Sequence, residues 1–369
     1  MPEWFEIEDI DSIDTPALVI YPQRVSQNIE VAKSMVKDIS LLRPHVKTNK
    51  CKDACVMMLE AGIHKFKCAT IAEAEMLATT GAPDVLLAYQ PVGPKINRFI
   101  ALVQQNPATT FSCLVDNEAS AKAIASAATG AGISINVFVD LNVGMNRTGI
   151  IPGEAAAQLY FTCNQTNGIN AVGLHAYDGH ITDISFKTRE KRCAESFAQV
   201  EWMEKEILKA GLPKPAIVAG GSPSFPVHAK WAKAECSPGT FIYWDAGYVQ
   251  KYTEQAFIPA ALVISRVISL PDETTVSTDL GHKSIAAENP LPNRVLILNA
   301  TGLEFVGQSE EHLVLKAQKG HGFKVGDLIY GIPYHICPTC ALYERAAIIR
   351  DHRLAGEWKI TARDRKISI

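Results

Sequence analysis

The feature that most constrains the fold is a regular alternation of short apolar runs with amphipathic helical patterns along most of the chain. Eight apolar runs lie at residues 41–47, 64–69, 85–89, 110–115, 135–140, 172–177, 216–219 and 240–244. Helical patterns separate many of them, for example at residues 71–80, 117–129, 154–163 and 188–210. Because strands that alternate with helices pair in parallel, eight units of this size favour a (β/α)8 TIM-like barrel over an open sheet.

The pattern changes after about residue 255. Short β-rich runs follow one another with few helical patterns between them, at residues 260–270, 274–279, 294–300, 312–317, 328–332 and 346–351. We therefore predict an α/β chain whose barrel spans residues 15–254 and is followed by a smaller β-rich C-terminal domain at 255–369. Residues 1–14 are expected to join the second domain as an added strand.

Charge and composition restrict the class of partner. The 369-residue chain has a net charge of -3, which gives no reason to expect nucleic acid or an anionic membrane as a partner. The acidic N-terminus lacks the features of a signal peptide, and no apolar run is long enough to span a bilayer. Nine irregularly spaced cysteines indicate reduced thiols rather than a disulfide framework. These observations predict a cytoplasmic enzyme with a small-molecule substrate.

The end of the first apolar run is a cationic cluster, Arg43-Pro44-His45-Val46-Lys47-Thr48-Asn49-Lys50. In a (β/α)8 barrel the working residues lie at the C-terminal ends of the strands. A lysine that is crowded there by other cations and partly desolvated has its charged form disfavoured, so the neutral nucleophile that a Schiff base requires becomes available. The alternative is a basic strand end with solvated side chains.

Other runs also end in polar residues. Gly220-Gly221-Ser222-Pro223-Ser224 follows the seventh run, and its glycines and hydroxyls could bind a phosphate or form an ordinary tight turn. Arg147, after the fifth run, could present a fixed cation to an anionic oxygen or lie on the surface. Because the carboxyl ends of parallel barrel strands share one rim, these groups are expected to converge.

The segment His335-Ile336-Cys337-Pro338-Thr339-Cys340 is a second compact cluster. In an extended segment His335 and Cys337 would lie on one face, with Ile336 opposite. An imidazole and a thiolate suit zinc, and two protein ligands would leave positions for water or substrate. A redox pair of Cys337 and Cys340, or two buried structural thiols, are the alternatives.

Taken together, these motifs resemble those of the D-threonine aldolase and D-serine dehydratase family, which are pyridoxal-phosphate enzymes of fold type III with an alanine racemase-type barrel. The likeness covers nearly the whole chain. It includes the lysine motif around Lys47 and the segments Asp14-Thr15-Pro16, Arg147, Tyr177, Gly220-Gly221, Asp279-Leu280-Gly281-His282-Lys283-Ser284 and His335-Ile336-Cys337. The chain departs from the family at Asn49, where the lysine motif usually has histidine.

The resemblance implies a role for each matching residue. Lys47 would carry the pyridoxal 5'-phosphate, and a divalent metal, zinc or manganese, would be held by His335 and Cys337. His180, in the segment after Tyr177, is the candidate for a second catalytic residue. The remaining cofactor contacts implied are His45, Arg147, Tyr177, Gly220, Gly221, Ser222 and Ser224.

The resemblance also implies the reaction class. A lyase of the D-threonine aldolase type would split a D-β-hydroxy amino acid into glycine and an aldehyde. A dehydratase acting on D-serine or D-threo-3-hydroxyaspartate, which would release ammonia, is the alternative. An amino-acid racemase or a non-catalytic pyridoxal-phosphate carrier is less favoured, since neither would need the metal pair. The family further implies a homodimer.

Overall fold

The computed structural model describes residues 2–369. Its strands are β1 Ala17–Ile20, β2 Lys65–Cys68, β3 Asp84–Leu87, β4 Thr110–Val115, β5 Ile135–Asp140, β6 Ile169–Ala176, β7 Ala216–Ala219, β8 Glu235–Cys236, β9 Ala261–Ser269, β10 Thr275–Thr278, β11 Val295–Ile297, β12 Glu304–Gln308, β13 Leu313–Lys316, β14 Leu328–Pro333, β15 Arg345–Arg350 and β16 Arg353–Lys359. Its helices are α1 Pro22–Met35, α2 Lys52–Glu60, α3 Ile71–Thr79, α4 Pro94–Gln105, α5 Glu118–Gly130, α6 Glu154–Gln165, α7 Phe186–Lys209, α8 Phe225–Trp231, α9 Ala246–Lys251 and α10 Ile336–Leu342.

The residues form two compact units. The barrel unit contains Ala32–Lys47, Cys55–Gly239 and Asp364–Ile369. The β unit contains Thr48–Ala54, Thr240–Arg363 and the described residues up to Val31. The domain boundaries at 15–254 and 255–369 stay a prediction. None of the helices within residues 2–369 is both long and apolar enough to cross a membrane.

The barrel unit is built on seven parallel strands in sequential order, β2 to β8. Residues 42–46, which we call the first stave, close the ring: Leu42 bridges to Cys236 in β8, and His45 bridges to Lys67 in β2. The first stave is not a regular strand, because Pro44 has no N–H to donate to a ladder. Its carbonyl still accepts from the Lys67 N–H at 2.8 Å. The predicted (β/α)8 TIM-like fold is confirmed.

The last barrel strand lies elsewhere than predicted. Residues 240–244 were expected to form it, but Thr240–Ile242 is a 3-10 turn in the β unit, and Glu235–Cys236 is the strand that pairs with β7. The apolar side chains of residues 241–244 are all buried. Their hydrophobicity reflects burial and not sheet pairing, a distinction that a short apolar run cannot make.

Large apolar side chains fill the inside of the barrel, with a glycine where one of them needs room. Leu86, Leu114, Phe138 and Val218 form a buried cluster, with one residue from each of β3, β4, β5 and β7. A Cβ placed on Gly173 in β6 would lie 2.3 Å from the Phe138 ring, so this strand position needs glycine. Parallel strands that carry apolar residues on both faces are covered by helices, which fits the alternation read from the sequence.

The β unit is built on a nine-stranded sheet. Its main path runs β12-β13-β10-β9-β1-β15-β16, and β14 pairs with both β9 and β11. Strand β1 is antiparallel to β9 and parallel to β15. The strand expected in residues 1–14 is wrong: within residues 2–14 the regular element is a 3-10 turn at Ile10–Ser12, and Phe5 and Ile7 pack into the core beside Val19. The predominantly β character of this region is as predicted.

Candidate active site

Lys47 stands directly after the first stave, at the C-terminal end of the barrel strands. Its backbone N–H donates to His45 Nδ1 at 3.3 Å, and its Nζ lies 6.0 Å from the centroid of the Tyr177 ring. Lys47 is half-buried and His45 is buried. The closed ring therefore holds the amine at a rigid strand end, as the sequence predicts for a reactive lysine.

Three cations surround the ring of Tyr177, which follows β6. Arg147, in the loop after β5, lies 5.1 Å from the ring centroid, and Lys47 lies 6.0 Å from it. The third is Lys67 in β2, at 5.3 Å. Cations at this range are attracted to the face of an aromatic ring. The structure thus brings together three of the predicted cofactor contacts and adds a lysine that sequence reasoning missed.

Lys67 is joined to a chain of buried polar groups. Its Nζ is 3.4 Å from His175 Nε2, and His175 Nδ1 is 2.7 Å from Asp140 Oδ1. Gln90 donates to Asp140 Oδ2 at 2.9 Å. The signal in the sequence was a pair of lysines, Lys65 and Lys67, within a four-residue strand. Period-two alternation directs both to the same side of the sheet.

The protonation states along this chain follow from burial and hydrogen bonds. Burial opposes the ionised form of Asp140, but hydrogen bonds from His175, Thr148 and Gln90 outweigh it and lower the pKa of Asp140. A carboxylate accepts, so His175 Nδ1 carries the proton and Nε2 accepts from Lys67. Burial, followed by the charge of Lys67, lowers the pKa of His175. Burial, followed by the charge of Lys47, lowers the pKa of Lys67 to about 7.

The glycine loop after β7 lies against the same tyrosine. Gly220 has a positive φ of 75°, and a Cβ on Gly221 would lie 3.0 Å from the Tyr177 ring. Ser222 Oγ accepts from the Gly239 N–H at 3.3 Å, while the Ser224 hydroxyl donates to Asp178 Oδ1 at 2.7 Å. The loop therefore allows close approach of its backbone, with the Ser224 hydroxyl engaged by protein.

His180 packs against the loop that follows β5. A Cβ on Gly144, whose φ is 115°, would lie 2.7 Å from His180 Nε2. Within residues 2–369 the buried Nδ1 atom of His180 has no hydrogen-bond partner. Burial, followed by the charge of Arg192, lowers the pKa of His180. These properties favour a neutral imidazole, and the catalytic role of His180 stays a prediction.

A second carboxylate–imidazole pair lies in the barrel unit. His228 Nε2 is 2.7 Å from Asp178 Oδ2, and the Cys193 thiol is 3.7 Å from the same oxygen. The ligand atoms of Asp178, Cys193 and His228 lie within 4.8 Å of one another, so by distance they could hold a metal ion. Burial, followed by the charge of Asp178, raises the pKa of Cys193. Because the thiol is neutral and the Asp178 oxygens already accept hydrogen bonds, we interpret the cluster as a hydrogen-bonded group and not as a metal site.

The predicted metal pair lies in the β unit. His335 immediately precedes α10 and Cys337 is in its first turn, so the segment is not extended as expected. Pro338 is tolerated there because first-turn N–H groups have no partner within the helix. The His335 ring nevertheless hydrogen-bonds Cys337, and its Nδ1 contacts the Glu288 carboxylate. The helical geometry thus brings the two side chains together for a different reason than the one predicted.

The two groups polarise each other. Burial works against the charged imidazole, but its hydrogen bond and attraction to Cys337 and its bond to Glu288 outweigh burial and raise the pKa of His335 to about 9. Burial also works against the thiolate, and the His335 hydrogen bond outweighs it and lowers the pKa of Cys337. The Thr48 hydroxyl lies 3.1 Å from the sulfur. A thiolate beside an imidazole is a donor set that suits zinc.

Comparison with known proteins identifies the class. Residues 20–246 match the sequence model described as the alanine racemase N-terminal domain, and residues 260–349 match that of a serine dehydratase domain. The chain belongs to the alanine racemase N-terminal domain family.

Individual relatives match this chain over nearly its whole length. The chain is 27% identical to D-threonine aldolase of Arthrobacter sp. over 95% of its length and 93% of that protein. It is 24% identical to D-threo-3-hydroxyaspartate dehydratase of Delftia sp. (strain HT23), over 90% of the chain and 93% of that protein. The crystal structure of D-threonine aldolase from Filomicrobium marinum superposes with a TM-score of 0.87 at 25% identity, covering 98% of both chains. The predicted resemblance is confirmed, and so is the prediction of an enzyme of the lyase class.

Proposed function

We propose that the protein is a pyridoxal-phosphate- and divalent-metal-dependent lyase that acts on D-β-hydroxy amino acids, in the manner of a D-threonine aldolase. The observation that carries the proposal is the convergence of Lys47, Arg147 and the glycine loop on one face of the barrel unit around Tyr177. The aldolase relatives, which extend over nearly the whole chain, support the same reading.

The barrel unit fits the cofactor. Ser237, whose N–H donates to the Ala219 and Gly220 carbonyls, has a buried Oγ with no hydrogen-bond partner in the part of the chain that the structure describes. Such an orphaned hydroxyl beside a glycine loop suits a polar ligand. When bound, pyridoxal phosphate supplies an electron sink for negative charge at the substrate Cα. Lys47 would hold it covalently; the other residues would be Gly220, Gly221, Ser222 and Ser224 at the phosphate, His45 and Tyr177 beside the ring, and Arg147 at its hydroxyl.

The His335–Cys337 pair fits a divalent metal, zinc or manganese. The His335 imidazole and the Cys337 thiolate would hold the ion, which would supply a Lewis acid for the substrate β-oxygen. Glu288, bonded to His335 Nδ1, fixes the tautomer and ring orientation of the ligand. The neutral His180 would accept the β-hydroxyl proton, the Cα–Cβ bond would break to release an aldehyde, and Cα would take up one proton to give glycine.

A dehydratase is the second candidate, favoured by the relative from Delftia. In that reaction Lys47 would remove the proton from Cα and the metal would help hydroxide to leave. Neither a racemase nor a non-catalytic carrier would need the metal pair, so Cys337 gives no support to these two alternatives. The homodimer implied by the family stays a proposal.

Product analysis tests the proposal. Purified protein with pyridoxal phosphate and manganese or zinc is incubated with D-threonine, D-serine and D-threo-3-hydroxyaspartate. Glycine and an aldehyde are expected. A keto acid and ammonia would instead establish the dehydratase. A protein that forms neither set of products with any of the three substrates would contradict both.

The Lys47→Ala variant is expected to lose the yellow absorbance of the covalently bound cofactor and to lose turnover by several orders of magnitude. The reason is that Lys47 supplies the amine at the end of the first stave to which the cofactor would be joined. Borohydride reduction and peptide mass analysis of the wild type should find the adduct on Lys47. Lys50→Ala is the matched control and should keep both properties; an adduct on Lys50 would show that the wrong lysine was chosen.

A further inference from the structure

Lys67 is buried with donors to spare. The residue is 2% exposed, yet an ammonium offers three N–H donors. Within residues 2–369 its hydrogen bond goes to His175 Nε2, at 3.4 Å. This separation is longer than the usual range for an N–H hydrogen bond. A buried cation with so few hydrogen bonds to protein can donate hydrogen bonds to an oxygen atom of a ligand.

The nearby carboxylates are engaged elsewhere. Asp140 accepts from His175 and Gln90, and Asp178 accepts from Ser224 and His228. Neither is bonded to Lys67. Arg147 and Lys47 face the same tyrosine ring as Lys67, so positive charge accumulates there. A cleft with one sign of charge concentrates ligands of the opposite sign.

The groups that face Lys67 come from several elements. They are Lys47 and Arg43 at the first stave, Asp140 in β5, and His175 and Asp178 at β6, while Arg147 lies against the same Tyr177 ring as Lys67. Burial and the two neighbouring cations disfavour the ammonium, while the two carboxylates favour it. An anion that entered beside Lys67 would add to the favourable side and draw a full positive charge onto the amine.

We propose that Lys67 binds an oxyanion of the cofactor–substrate complex, as a second cation beside Arg147. The inference rests on the proposed function and deepens it. Two oxyanions have the required chemistry: the ring oxygen of pyridoxal phosphate and the carboxylate of the amino acid. Both oxygens belong to planar groups and accept charge-assisted hydrogen bonds, which are about twice as strong as neutral hydrogen bonds.

Three variants separate charge from shape. Lys67→Met removes the charge and keeps an unbranched chain, and Lys67→Arg keeps the charge. Lys65→Met is the matched control, because Lys65 lies in the same strand but pairs with Glu235 and is partly exposed. Each variant is prepared as the holoenzyme, and its visible absorbance is titrated against pH before any amino acid is added.

If the partner is the cofactor ring oxygen, Lys67→Met is expected to shift the pH midpoint of the yellow absorbance upward by about one unit, since loss of a neighbouring cation favours the protonated form of the linkage. If the partner is the substrate carboxylate, that midpoint stays put, and about tenfold more glycine is needed for the half-maximal spectral change. Ethylamine, which has no carboxylate, should then bind equally well to the variant and the wild type.

Lys67→Arg should restore either property in part, and Lys65→Met should match the wild type. An unchanged midpoint together with unchanged glycine binding in Lys67→Met would overturn the proposal. Equal defects in Lys67→Arg and Lys67→Met would also overturn it, because the role would then be one of shape. A wild type that shows no yellow absorbance and no borohydride adduct on Lys47 would instead refute the proposed function.

Discussion

Two carboxylate–imidazole pairs in the barrel unit have the same nitrogen–oxygen separation and different surroundings. In each, an imidazole nitrogen lies 2.7 Å from a buried aspartate oxygen: His175 with Asp140, and His228 with Asp178. The far nitrogen of His175 meets Lys67, beside the Tyr177 ring. The ring of His228 instead packs against Phe197 and Trp231, with centroids 5.3 and 5.4 Å away.

A carboxylate–imidazole pair does not by itself define a functional site. Asp178 is closed in by Ser224, His228 and the Cys193 thiol, all of which are buried, and it ties the glycine loop and α8 to the end of β6. Asp140 sets the tautomer of a histidine whose other nitrogen faces a lysine. What the imidazole touches on its far side, aromatic rings or a titratable amine, decides whether the pair stabilises or also serves chemistry.

We call His175–Asp140 the open pair and His228–Asp178 the closed pair. The largest expected effect concerns the amine of Lys67, which lies beside the open pair. Its pKa is lowered from 10.5 to about 7, so between these two pH values the unfolded chain binds a proton there that the folded chain has largely released. The resulting penalty is absent above 10.5, grows as the pH falls, and is complete at about 7. Lys67→Met should therefore be more stable than the wild type at neutral pH, by roughly 4 kcal/mol. Denaturant unfolding of both proteins, freed of cofactor, measures this.

The difference in unfolding free energy between Lys67→Met and the wild type should shrink as the pH rises from about 7 to about 10.5. Asp140, His175 and Asp178 have lowered pKa values and titrate below this interval, so they add nothing to the change. A difference that stays constant over this interval would mean that the Lys67 amine keeps its charge on folding.

A smaller effect separates the two pairs. A carboxylate accepts on both oxygens, whereas an amide accepts on one side only, so Asp178→Asn sets its NH2 against a donor from Ser224 or His228. We expect a loss of about 3 kcal/mol in unfolding free energy for Asp178→Asn, and a loss of similar size for Asp140→Asn. Asp140→Asn should also change the pH titration of the bound cofactor more than Asp178→Asn does, because Asp140 bonds His175, which contacts Lys67, whereas Asp178 acts on Lys67 through its charge alone.

Unfolding curves and visible spectra of the two variants decide this. Equal spectral changes in both would remove the distinction between an open and a closed pair. Because either variant could lose bound cofactor through instability alone, the spectra are compared per mole of cofactor retained, at a temperature well below both unfolding transitions.

How far the sequence predicts this arrangement depends on the kind of signal. The barrel could be predicted because its apolar runs recur with helices between them, and the positions of Lys47 and Tyr177 follow from the rule for strand ends. The burial of Lys67 could not be predicted, because alternation along a strand shows which face a lysine lies on but not how deeply it is buried. Lys65 pairs with Glu235, whereas Lys67 is buried. Burial of a charge is decided by the closed ring around it, which involves residues distant in sequence.

The errors have the same origin. Residues 240–244 are apolar enough for a strand but are buried in a turn, and Glu235–Cys236 is too short to be recognised by its pattern. The His335 segment has strand-like composition at its start and nevertheless begins a helix, which brings Cys337 to the imidazole. In each case tertiary contacts override a local pattern of fewer than eight residues.

The smallest expected effect tests which of two sites holds the metal. One is the cluster of Asp178, Cys193 and His228, and the other is the predicted pair, His335 and Cys337. The pKa of Cys193 is raised and its thiol is neutral, so it makes a weak hydrogen bond to Asp178 and no thiolate is available for a metal. Cys193→Ala should therefore cost only about 1 kcal/mol of unfolding free energy and leave the metal content of the protein unchanged. Cys337→Ala, whose pKa is lowered in the wild type, should abolish bound metal while the cofactor is kept. Metal content measured by atomic emission after dialysis compares the two: loss of metal in Cys193→Ala, with retention in Cys337→Ala, would reverse the assignment and make Asp178 and His228 the ligands.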